Sequence, residues 1–269
     1  MGYDHLEIEH NGHIATVWLN RPEKLNAMSE DMWVDLPAVM ADLDADDTVR
    51  VVVLAGRGAS FTVGIDIGML ASLQPSGGSE SEITERLYTE IKRLQATATC
   101  LADSPKPVVA AVHGHCLGAG MDLITACDIR FGSADSQYSI RETRMAIVAD
   151  VGTLQRLPAI VGAGHTAELA FTGADIDAKR AEEIGLLNRV FPDGPATYQA
   201  AGELAGMIAA NSPLVVRGIK TVLAAGQGRS TPDALEFVAH WNSTHLLSND
   251  LMEAVAAFIE KRPPTFTGT

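Results

Sequence analysis

Apolar positions in the first two thirds of the chain alternate or form short unbroken runs, and in the last third they recur at helical spacing. Leu6 to His10, an Asn11-Gly12 turn, and His13 to Leu19 predict a β-hairpin. Ser29, followed by Glu30 and Asp31, predicts a helix start, with the helix running towards Leu43. Arg50 to Leu54 reads as a buried strand that runs out into a glycine-bearing segment, Gly56 to Gly64. Pro75 to Ser81 is rich in Gly and Ser and is expected to be a mobile surface loop before a helix from about Glu82 to Leu101. Pro107 to Val112 is a further strand, and the glycine-rich His113 to Gly120 leads from it into an apolar helix through Ala126. Asp128 to Phe131 and Tyr138 to Ile140 read as short strands. Beyond Val190 the pattern is helical: 196–210, 214–225, 232–247 and 251–261. Strands mixed with helices first, and helices alone afterwards, give an α/β core over residues 1–194 and a helical subdomain over 195–269.

A chain of 269 residues with 46% apolar composition can bury a sizeable core. The formal charge of −14 disfavours nucleic acid, whose phosphates require Lys and Arg. An anionic substrate would have to be met by local basic groups. Cys100, Cys116 and Cys127 are too few and too unevenly spaced for a disulfide framework and are expected to be reduced core thiols. No apolar run approaches the ~18 residues of a bilayer span. No secretory pattern, lipidation motif or peroxisomal address is legible, so a cytoplasmic location is expected.

His113 to Gly120 carries the chemistry. A strand that ends in glycines and then a helix brings free N–H groups together at a helix N-terminus, where an anion or a developing oxyanion can sit. A dinucleotide fingerprint fails because position 123 is Leu, and a phosphate loop fails for want of Lys-Ser or Lys-Thr. Gly114-His115-Cys116-Leu117-Gly118 has the form of a nucleophile elbow with cysteine, but no later histidine stands in a suitable loop. His113 and His115 have no third and fourth metal ligand near them, so no metal is expected. An oxyanion hole needs a second donor, and the glycine turn Thr62 to Ile67 offers one.

The segments NRPEKLNAM (20–28), GASFTVGIDI (58–67), HGHCLGAGMDLITACDIR (113–130) and GTLQRLPAIVG (152–162) resemble the crotonase, or enoyl-CoA hydratase/isomerase, superfamily. The similarity continues to FIEKRPPTFTG near the end, so it spans nearly the whole chain. It implies a crotonase-like spiral of ββα units and C-terminal helices that build homotrimers or homohexamers. It also implies an acyl-CoA substrate, with coenzyme A as carrier and no permanently bound cofactor. The oxyanion donors carry over to the backbone N–H groups of Ile65 and Ala119. Lys24, Asn26 and Ala27 would line the CoA, and Lys261 would reach the CoA of a neighbouring subunit.

Within the family the carboxylates decide the reaction. Asp122, Glu142 and Asp150 resemble the acidic set of the 3,5-/2,4-dienoyl-CoA isomerases, whereas hydratases carry glutamate at the positions of Asp122 and Glu142. Arg144 is a departure, standing near a position where an acid is expected. The alternatives are an enoyl-CoA hydratase and a non-catalytic acyl-CoA-binding protein. Each acid also has a structural reading: Asp122 as a buried acceptor of nearby N–H groups, Glu142 as a surface ion pair with Arg141 or Arg144, and Asp150 as a helix cap. Asp66 is read as structural.

Overall fold

A computed structural model of the chain describes residues 3–72 and 77–269. In chain order its elements are β1 (Leu6–Asn11), β2 (Ile14–Leu19), α1 (Glu30–Ala45), β3 (Val51–Gly56), α2 (Ile67–Ser72), α3 (Glu80–Asp103), β4 (Val108–Val112), β5 (His115–Leu117) and α4 (Ala119–Ala126). They continue with β6 (Ile129–Ser133), β7 (Gln137–Ser139), α5 (Thr153–Val161), α6 (Ala163–Thr172), β8 (Ile176–Asp177), α7 (Ala178–Glu183) and β9 (Arg189–Phe191). Four helices follow: α8 (Gly194–Ala209), α9 (Pro213–Gly226), α10 (Thr231–His245) and α11 (Asn249–Glu260). Short 3-10 turns cover Pro22–Lys24 and Arg141–Met145.

The large sheet has the order β1-β2-β3-β4-β6-β9, parallel except for the β1–β2 hairpin. Its central strands are apolar at every position because both faces are covered. Val52, Leu54, Val108, Ala110 and Val112 join the core under α1, α3 and α4. Val51, Val53, Ala55, Val109 and Ala111 face the other way, onto Ala201, Ala205 and Ala209 of α8. Small residues four apart let that helix lie close against the sheet.

A second sheet, β5-β7-β8, is extended by a bridge between Thr62 and Cys116. The chain therefore winds three times through one step: a long strand, a short strand or bridge, then a helix. β3, Thr62 and α2 make the first turn; β4, β5 and α4 the second; β6, β7 and α5 the third. This is the expected spiral of ββα units, followed by the C-terminal helices. No helix among the described residues is long and apolar enough to cross a membrane.

Some expectations shift. The hairpin loop is Gly12–His13, one residue later than expected, because Asn11 pairs with Ile14. That register sets Leu6 opposite Leu19 and Ile8 opposite Val17 on the core face. Of the loop expected over 75–81, positions 75 and 76 lie outside the described residues. Ser79 in that stretch is the N-cap of α3, forming a capping box with Glu82.

Candidate active site

β3 and β4 are parallel neighbours, so the loops that leave their C-terminal ends emerge side by side. The first loop is stitched to the second by Phe61 N–H to His113 O, Thr62 N–H to His115 O, and Leu117 N–H to Thr62 O. It is stitched on its other side to the segment after β2. Met28 N–H donates to Gly64 O, Asp66 N–H to Met28 O, and Thr62 Oγ1 to Asn26 O. Neither the Ile65 N–H nor the Ala119 N–H has an acceptor among the described residues.

Gly64 brings those two donors together. At φ +96° it takes a conformation L side chains rarely adopt, and a Cβ there would lie 2.9 Å from Leu117 O and 3.6 Å from Ala119 N. Ala119 opens α4, so its N–H carries the positive end of the helix dipole as well. Two unused donors beside a helix start are what a developing oxyanion needs.

Glu142 lies beside this point. Gly118, at φ +52°, has no side chain, and a Cβ built there would sit 3.4 Å from Glu142 Oε1. The Glu142 carboxylate thus lies against the residue preceding the Ala119 donor. Its Oε2 is buried and has no hydrogen-bond partner among the described residues, which removes the surface ion pair as its explanation. Arg141 instead bonds Asp175, and Arg144 is exposed. Burial, reinforced by the charge of Asp122, lifts Glu142 to about 7.

Asp122 is 2% exposed on α4 and accepts from both the N–H and the hydroxyl of Thr153, each at 2.7 Å. It therefore caps α5 from a distance, the alternative role considered for Asp150. The α5 cap position itself is Gly152, with no side-chain bond. Burial raises Asp122 to about 6 against the Thr153 hydrogen bonds, and the charge of Asp150 adds to the rise. Asp150 is half-buried and raised by burial; its backbone carbonyl accepts from Gln95 of α3 at 2.7 Å. The charges of Asp122 and Asp150 both raise Glu142, and that of Asp150 raises Asp122.

The raised value of Glu142 has a stability consequence. Between its ordinary value of 4.5 and about 7 the folded chain holds a proton that the unfolded chain releases. Its favourable contribution is therefore present below 4.5 and is lost as pH rises through 7. Glu142→Gln should stabilise the protein at pH 8 by on the order of 2 kcal/mol, with the gain shrinking towards pH 4.5. Thermal melts at both pH values check this, and an equal gain at both would refute the cause.

Other candidates find different places. Asn26 is fully buried; its side chain accepts from Arg21 N–H and donates to Arg57 O and Ser60 O. That side chain braces the loop and has no group left for a ligand. Ala27 gives its carbonyl to Arg21, while Lys24 is exposed on the turn before them. Asp66 binds Arg21 at 2.6 Å and Gly68 N–H, which hold its carboxyl below the usual range, in line with a structural role. Lys261 is exposed at the end of α11. Cys116 lies wholly buried in β5, and burial pushes its thiol well above the ordinary range, so it cannot serve as a nucleophile. His113 and His115 point at Gly58 O and Ser60 Oγ, and no cluster of three metal-ligating side chains occurs among the described residues.

Residues 9–269 match the model of the enoyl-CoA hydratase/isomerase family. The chain belongs to that family. This enoyl-CoA hydratase/isomerase family member is 43% identical to the peroxisomal Delta(3,5)-Delta(2,4)-dienoyl-CoA isomerase of Arabidopsis thaliana, over 92% of the chain and 90% of that protein. It is 41% identical to the mitochondrial Delta(3,5)-Delta(2,4)-dienoyl-CoA isomerase of Dictyostelium discoideum, over 98% of the chain and 92% of that protein. Among solved structures, a putative enoyl-CoA hydratase from Streptomyces coelicolor superposes with a TM-score of 0.91 at 32% identity, covering 100% of this chain and 96% of that one. These relatives overturn the expected cytoplasmic location, since they are named as peroxisomal and mitochondrial. Cysteine usage reports a reducing compartment, and a compartment's address is not written in the fold.

Proposed function

We propose that this protein converts 3,5-dienoyl-CoA into 2,4-dienoyl-CoA. The carrying observation is the buried Glu142 carboxyl, raised by its burial and by the charges of Asp122 and Asp150, beside two unused backbone N–H groups; the names of the relatives support the same reading. The thioester acidifies the hydrogens on carbon 2. A carboxylate removes one, the thioester oxygen becomes an oxyanion held by the Ile65 and Ala119 N–H groups, and the electron pair spreads through the diene to carbon 6. A second carboxyl then protonates carbon 6, leaving double bonds at 2 and 4. Glu142 serves carbon 2, Asp150 serves carbon 6, and Asp122 tunes the pair while holding α5. Coenzyme A is the carrier, with Lys24 and the backbone around Asn26 and Ala27 on its path. No permanent cofactor takes part in these steps.

A hydratase holds one water between two carboxyls, and here one oxygen of Asp122 is committed to Thr153. That commitment favours isomerisation over hydration. Side-by-side assays of dienoyl isomerisation and enoyl hydration test the reading. Isomerisation should dominate; efficient hydration alone would overturn it, and tight CoA-ester binding with neither activity would leave a binding protein.

The division into a core over 1–194 and helices over 195–269 serves assembly in the same proposal. Leu247 (92% exposed), Phe258 (86%) and Ile259 (73%) lie on or beside the last two helices with their apolar surface uncovered. A homotrimer or homohexamer would bury such a face, and Lys261 would then reach a neighbour's CoA. Light scattering at micromolar concentration should give a mass that is a multiple of three chains; an active monomer would refute it.

A further inference from the structure

The two histidines of the glycine-rich segment take no part in the chemistry above, yet both are turned onto the loop that delivers Ile65. His113 stands at the end of β4 and is 7% exposed. Its Nε2 lies 2.8 Å from Gly58 O. A carbonyl can only accept, so Nε2 carries a proton. The Tyr198 hydroxyl of α8 donates to Gly56 O, the last residue of β3, at 3.0 Å, and its oxygen lies 2.5 Å from His113 Nδ1. Burial pushes the Tyr198 phenol well above its ordinary value, so the hydroxyl keeps the proton it gives to Gly56 O. The two rings meet edge to face, with centroids 5.4 Å apart. His115, in β5, meets the same segment through its Nδ1, 3.0 Å from Ser60 Oγ.

These contacts converge on one object. Gly56, Gly58 and Ser60 are alternate residues of the segment that runs from β3 to the oxyanion loop, and the Phe61 N–H is held by His113 O. The far end of that segment is fixed to β5 and to Met28, and its near end is β3 itself. The span between is held on one side by Asn26, through Arg57 O and Ser60 O, and at Gly58 O by His113, with Tyr198 behind it.

We infer that Tyr198 and His113 are positioning residues that set the height of the Ile65 N–H, so that a helix of the C-terminal segment tunes the oxyanion hole from the opposite side of the sheet. Neither residue touches the substrate. Their effect is on where one donor points, and a misplacement well short of an ångström weakens a hydrogen bond that matters most when the thioester oxygen carries charge. The inference rests on the Ile65 N–H being an oxyanion donor, as proposed above.

The test separates the two. Acetoacetyl-CoA can bind as a ketone or as its enolate, and only the enolate has its own ultraviolet band. With the unaltered protein, binding should raise the enolate band. Tyr198→Phe should lower the enolate fraction per bound ligand, and kcat for isomerisation, by roughly 10-fold with KM unchanged. His113→Leu should do the same, and His113→Gln, whose amide can still donate to Gly58 O, should recover most of the loss. An unchanged enolate fraction and kcat in folded Tyr198→Phe and His113→Leu would overturn the positioning role while sparing the oxyanion hole. Loss confined to thermal stability would also overturn it, since a purely structural brace does not alter the enolate fraction. No enolate band with the unaltered protein would remove the oxyanion reading and this inference with it.

Discussion

Replacing Ala119 by proline should lower turnover by roughly 100-fold or more while leaving the fold in place. Proline deletes a backbone N–H, and at most helical positions that change breaks the helix. Ala119 is the first residue of α4, where proline's fixed φ suits the helix and no intrahelical bond is lost. Gly118 before it has no Cβ to meet the proline ring. The substitution therefore removes a donor that makes no bond within the described chain and disturbs little else. Ala119→Gly keeps the N–H and should retain most activity. The loss in the proline variant should appear in kcat under saturating substrate, with circular dichroism unchanged. A rise in KM alone would mean that the ring obstructs the thioester. Full activity in a folded proline variant would exclude this N–H as an oxyanion donor.

The segments that were readable from the chain are those whose signal is local. Val51 to Leu54 and Val108 to Val112 are apolar at every position because helices cover both faces, and such runs announce buried parallel strands. The alanines of α8 and the apolar spacing of α9 to α11 announce helices in the same way. The start of α3 was harder to place: Ser79 with Glu82 is a capping box, a local signal present in the sequence and hidden by the small residues around it. β5 is different in kind. Three residues inside a glycine-rich run form a strand only because β7, some twenty residues later, lies beside them.

The site divides along the same line. Glycines before a helix point to anion binding without further information, and the three acids stand out through the family resemblance. Asp122 was legible as a buried acceptor of N–H groups, but the partners of the acids were not, because they come from distant elements. Asp122 reaches Thr153 of α5, and the backbone of Asp150 is held by Gln95 of α3. Asn26 differs in its side chain. A motif position expected to line the CoA turns its side chain inward, because three backbone groups of its own loop would otherwise lie unpaired. Gly118 was read as a motif glycine, but that its missing side chain makes room for Glu142 beside the Ala119 N–H was not legible.

Asp150→Asn carries the sharpest expected split between two half-reactions. The two side chains are nearly isosteric, and the backbone hydrogen bond from Gln95 to residue 150 does not involve the carboxyl. Asparagine cannot exchange a proton as a carboxyl does, so the full shift should slow by on the order of 100- to 10,000-fold. In the proposed assignment deprotonation at carbon 2 uses Glu142 and the two N–H groups, so in heavy water the variant should still exchange deuterium there. Exchange at carbon 6 should vanish. Glu142→Gln should show the opposite pattern, losing exchange at carbon 2. Asp122 separates a tuning acid from a proton carrier: Asp122→Asn still accepts from Thr153 through its amide oxygen, so exchange at both carbons should persist at altered rates. If the Asp150 variant exchanged only at carbon 6, the two ends would be interchanged and the isomerase reading would stand. If it isomerised at the unaltered rate, Asp150 would have no part in proton transfer, and the far end of the diene would need another acid.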